Sequence, residues 1–153
     1  MTRDEIVYLV PYLASLLLSV GIFIYAWRHR RIPGGVAYAT FVGSQALSIF
    51  GFILELISQG IRIKIFWDQA QWLTEAMIIA AFPIFAIQFT EYKLRNSRLA
   101  TAIFLGIPVA FMLLVVTDGF HHLIYPDPHL QTEYPFTELE YSFTIPVYLY
   151  SIY

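Results

Sequence analysis

Cysteine is absent from the 153 residues, which excludes disulfides, thiolate metal sites and cysteine nucleophiles. Charge is scarce too. Asp, Glu, Lys and Arg make up 13% of the chain, where an ordinary soluble domain has about 25%. A net charge of −2 and the lack of a dense basic patch leave no electrostatic footprint for nucleic acid. HExxH, a Gly-rich phosphate loop and GxSxG are all missing, so no catalytic centre is signalled. The chain reads as non-enzymatic, and no cofactor is expected. No repeat or low-complexity segment appears.

What remains is mostly hydrophobic: 58% of residues, with a mean hydropathy of +0.63. A bilayer span needs about 20 mainly apolar residues at about 1.5 Å rise each. Helices are expected at about 6–27, 36–58, 65–92 and 99–117, and a further one begins at 141–153. That last stretch would reach only about 20 Å, too short to cross. The expectation is an all-α, polytopic transmembrane helical bundle. It is a single membrane-embedded domain over 1–153, with four spans and a fifth cut short. The first apolar stretch is too long for a signal peptide and ends in Arg28, Arg30 and Arg31, so it reads as a retained span.

Orientation follows from short basic loops. Six of the nine basic residues lie in two of them: Arg28, Arg30 and Arg31, then Lys93, Arg95 and Arg98. These loops are expected in the cytoplasm, with the N-terminus outside and the protein multi-pass in the plasma membrane. The longest loop, Asp118 to Glu140, is then external. Pro126, Pro128 and Pro135 exclude a long helix there, so it is expected to be largely irregular.

Ionisable residues within spans are costly and mark candidate sites. Glu55 lies near the end of the second helix, and Asp68 and Glu75 lie on the third. Asp68, Gln71, Trp72 and Glu75 share one face by helical spacing. Ser44, Ser48, Gly51 and Glu55 share another, and Tyr8 and Tyr12 a third. If these faces converge, Glu55, Asp68, Gln71, Trp72, Glu75 and Tyr12 line a ligand pocket. Plainer readings stand beside this one. Ser and Gly stripes usually serve close packing. Glu55 and Asp68 could sit at the wet interface, paired with Arg62 or Lys64. Glu75 could be a ligand, proton or gating group, or a buried hydrogen-bonding residue. No metal is expected. His121 and His122, with Asp118 and His129 near in sequence, are the residues a metal would use, but adjacent side chains diverge.

Four stretches in order carry a resemblance: Arg28 to Gly34, Phe52 to Leu56, Phe85 to Thr90 with Trp67 and Trp72 upstream, and Thr117 to Tyr125. The chain resembles the N-terminal seven-helix membrane region of bacterial and archaeal sensor histidine kinases. The resemblance implies a sensory input module that takes an unknown small-molecule or membrane signal. Its partners would be the lipid bilayer and, through the full-length receptor, a second copy. Thr74 and Glu75 stand where a glycine and an aliphatic residue are expected, so no family role transfers to Glu75. The alternatives are a small-molecule or proton transporter fragment and a non-catalytic membrane anchor.

Overall fold

A computed structural model describes residues 2–90, 97–132 and 135–152. Lys93 and Arg95, expected in a basic loop, lie outside the described residues.

Helix α1 spans Arg3–Arg28. Thr2 starts it with a reciprocal cap: its hydroxyl accepts from the Glu5 amide at 3.3 Å, and its own amide donates to the Glu5 carboxylate at 2.6 Å. Helix α2 spans Gly35–Ile57, α3 Ile61–Phe89 and α4 Ser97–Val116. The first three are long and apolar enough to cross a membrane, and 102–116 adds a shorter apolar stretch. Pro11, Pro83 and Pro108 fall inside helices, which is tolerated where neighbours and local adjustment satisfy the freed carbonyl. Successive helices pack as neighbours: α1 on α2, α2 on α3, α3 on α4. The all-α bundle expected from composition is what the structure shows.

The α1–α2 turn is tight because Gly34 takes φ +77°, a left-handed conformation that costs other residues strain. A Cβ there would lie 3.1 Å from the Phe85 ring of α3, so this turn also rests on α3. Nearby, the Arg30 guanidinium lies 4.4 Å over the Trp27 ring.

The segment after α4 departs from the expected irregular loop. A short helix, α5, covers Asp118–His121. Strands β1 (His129–Thr132) and β2 (Thr137–Glu140) then form an antiparallel hairpin, with Leu130 opposite Leu139 and Thr132 opposite Thr137. Pro126, Pro128 and Pro135 all lie outside the strands, so they block a helix without blocking the ladder. The last helix, α6, covers Ile145–Ile152 and begins later than the apolar pattern suggests. Pro146 sits in its first turn, where a missing N–H costs nothing, while 141–144 stays non-helical.

Two separate apolar clusters lie toward the hairpin end of the bundle. One joins Ala76 of α3, Phe111 and Val115 of α4, Ile124, Tyr125, and Val147 and Tyr150 of α6. Within it the Phe111 and Tyr150 rings stack at 3.8 Å, which seats α6 on α4. The other joins Leu9 of α1, Ile53 and Leu56 of α2, and Phe136 beside the hairpin.

Candidate functional site

Helical spacing places Glu55 and Gln71 on facing sides of the α2–α3 seam. The Gln71 amide donates to the Glu55 carboxylate at 2.6 Å and also reaches the Trp67 carbonyl at 3.3 Å. Gly51, one turn before Glu55, makes this approach possible, because a Cβ there would meet the Gln71 side chain at 3.1 Å. The Ser/Gly stripe on α2 thus serves close packing, with Ser44 buried.

Lys64 is 1% exposed, and its ammonium donates to the backbone carbonyl of Glu55 at 2.6 Å. That carbonyl belongs to the last turn of α2, where it also accepts from the Ser58 amide at 3.2 Å. A cation at a helix C-terminus also meets the negative end of the helix dipole. Lys64 therefore fastens the start of α3 to the end of α2. Arg62, the other expected partner, is exposed.

Asp68 is the centre of a second polar group. One carboxylate oxygen accepts from the Tyr125 hydroxyl at 2.6 Å and from the Tyr141 hydroxyl at 3.0 Å. The Trp72 indole donates to the Tyr141 oxygen at 3.1 Å. The two phenol rings meet edge to face at 4.8 Å. Burial, and then the neighbouring Asp68 charge, push both phenols above their usual range, so they remain donors at any physiological pH.

Between the two groups lies a cavity of about 290 Å³. Glu55, Asp68 and Gln71 form its floor, Glu138 and Glu140 of β2 its cover, and Phe52, Tyr141 and Phe143 its aromatic walls. No basic side chain lines it among the described residues. A larger cavity of about 470 Å³ lies on the other side of Leu56, against Glu5, Lys64 and Phe136.

Of the residues singled out from sequence, Glu55, Asp68 and Gln71 come together at the smaller cavity, and Trp72 joins through Tyr141. Tyr12 is set back from it. Its ring packs 5.1 Å from Phe52, so it supports the wall without lining the space. Glu75 is exposed on the described chain and makes no hydrogen bond or ion pair among the described residues. His121 is occupied locally. Its Nδ1 accepts from the Leu123 amide at 3.1 Å, which leaves the proton on Nε2, 3.1 Å from the Thr117 hydroxyl. The Asp118 carboxylate, 3.6 Å from that Nδ1, instead caps the Ile124 amide at 2.7 Å. His122 is exposed at φ +50° and does not join it.

Tyr125, Tyr141, Lys64 and Glu138 were not signalled by sequence as site residues. Tyr125 and Tyr141 lie in the loop and its exit, 57 and 73 residues from Asp68, where no local spacing relates them to it.

A family model described as the N-terminal 7TM region of histidine kinase matches residues 11–153. No curated protein and no solved structure matches the chain.

Proposed function

The chain belongs to the family of N-terminal 7TM regions of histidine kinases, and from that premise we propose that it is the signal-input domain of a membrane receptor kinase. One observation carries the reading: the two residues that flank a hairpin outside the helices, Tyr125 and Tyr141, donate to a carboxylate within a spanning helix, over a small polar cavity. Anything that enters the cavity or moves the hairpin acts directly on α3. The volume limits the signal to a small molecule. Four carboxyl groups facing aromatic rings, with no lining basic group, suit a cation rather than an anion.

In this reading the domain carries no chemistry itself. It sits in the plasma membrane with its N-terminus and hairpin outside, supported by the exposed Arg28, Arg30 and Arg31 at the opposite end of the bundle. It works as a dimer through the full-length receptor.

Two measurements on the full-length protein test this. In intact cells, a membrane-impermeant maleimide should label Gln131→Cys at once and Ile32→Cys only after permeabilisation. The reverse pattern rejects the orientation. In membrane vesicles supplied with ATP, Asp68→Asn should change autophosphorylation by about 5-fold or more, the effect of a modest bias on a two-state element. Unchanged phosphorylation removes the site from signal input.

A further inference from the structure

The hairpin covers both cavities, yet its own body makes little contact with the bundle. All four residues of β1 are exposed, and β2 is only half-buried. An isolated two-stranded hairpin is marginal in water. What holds this one down must therefore lie outside its strands.

Its attachments lie at its two ends and go to different helices, and at one end Tyr125 is also buried in the apolar cluster of α3, α4 and α6. Before β2, Phe136 is 9% exposed among Leu9, Ile53 and Leu56, with its ring 5.6 Å from Tyr8. It is seated on α1 and α2. Beyond the other ends of the strands, Tyr125 precedes β1 and Tyr141 follows β2, and both donate to the same oxygen of Asp68 on α3. The Thr144 hydroxyl and the Leu123 carbonyl close the base of the segment between them. The apolar attachment is non-directional and tolerates sliding. The polar one is directional and is either made or broken.

We propose that the hairpin is a strap that opens and closes over the two cavities, with the Tyr125–Asp68–Tyr141 contact as its latch and Phe136 as its pivot. Opening breaks two hydrogen bonds to α3 and withdraws Tyr125, 2% exposed, from its apolar cluster, while the seat on α1 and α2 stays filled. Closing over a bound molecule pulls α3 toward the hairpin relative to α1 and α2. The strap deepens the sensor reading, since it names the moving part of the same site. The latch itself can be tested without any kinase output, so failure of one does not imply failure of the other.

Absence of native cysteine in this region permits a direct test. Glu55 lines the smaller cavity, is 8% exposed and lies outside the Phe136 seat, so Glu55→Cys reports opening of the strap. Ala39→Cys, fully buried in α2 near the Arg-rich end, reports general loosening. The full-length protein in nanodiscs presents both faces to a water-soluble maleimide, with the protein lacking either reporter as blank. Tyr125→Phe and Tyr141→Phe keep the rings and remove the donors. Each should speed labelling at position 55 by about 5-fold, and the pair by more than either alone, with labelling at position 39 unchanged. Unchanged labelling at position 55 in the double variant overturns the latch. Equal acceleration at both positions also overturns it, because the hydroxyls would then hold the whole bundle rather than a strap.

Discussion

Helices α2 and α3 are joined differently at their two ends. At the hairpin end two polar contacts, Gln71 on Glu55 and Lys64 on the carbonyl that closes α2, stand beside one ring contact, Phe50 with Trp67 at 6.4 Å. At the Arg-rich end the contacts are rings against rings: Tyr38 with Phe85 at 5.3 Å and Phe41 with Phe82 at 5.8 Å. Hydrogen bonds between buried groups specify one arrangement, since a misplaced donor is left unsatisfied. Ring contacts tolerate several arrangements of similar energy. The pair is therefore registered at one end and free to adjust at the other. A signal domain needs that combination, because a bundle rigid at both ends could not transmit a change.

The comparison can be broken most severely at Asp68. Asp68→Ala leaves the Tyr125 and Tyr141 hydroxyls without their acceptor, and the expected destabilisation is about 2–3 kcal/mol. Detergent-denaturant titration of the purified protein would measure it. A loss below about 1 kcal/mol would mean the hairpin end is held by apolar packing after all. Gly34→Ala tests the other end. It forces an alanine to φ +77° with its Cβ against Phe85, at an expected cost of about 1–2 kcal/mol by the same titration. If it costs more than Asp68→Ala, the Arg-rich end is the better-specified one and the contrast is reversed. The smallest expected effect is that of Trp72→Phe, about 1 kcal/mol, from one lost indole donor to Tyr141. The indole also packs 5.4 Å from Phe111, so Trp72→Phe keeps a ring there and isolates the hydrogen bond. A cost near zero would show Tyr141 satisfied by Asp68 alone.

Much of this was legible before any coordinates. Hydropathy runs mark the long helices, because hydrocarbon allows no other backbone solution over that length. Periodicity places Asp68, Gln71 and Trp72 on one face of α3 and Glu55 on the facing side of α2, and the structure brings those residues together. The same periodicity groups Glu75 with them, yet Glu75 is exposed. Spacing defines a face without saying how far along the helix that face is covered. Here the hairpin covers only the end near Asp68. The hairpin itself was missed because three prolines argue against a helix without arguing for a strand, and four-residue strands show almost no alternation. Tyr125 and Tyr141 were missed as site residues for a different reason. Their role is set by contacts across 57 and 73 residues, which no local pattern encodes.

Those separations also impose an order on biosynthesis. Asp68 leaves the ribosome well before either phenol that will bind it, and Tyr141 follows 73 residues later. At about 5–20 residues per second, the interval is about 4–15 s. Throughout it α3 must enter the bilayer carrying an acid near its hairpin end, short of the helix centre where insertion would cost about 2.5–3.5 kcal/mol. Gln71 and Glu55 can pair as soon as α3 has formed, so the α2–α3 hairpin can dock early and shelter its neighbour. The Asp68 contacts close last, when the polypeptide after α4 folds back over helices that are already inserted. Quality control of this domain would then turn on a late step: a nascent chain arrested before residue 125 presents a carboxyl without either phenol donor.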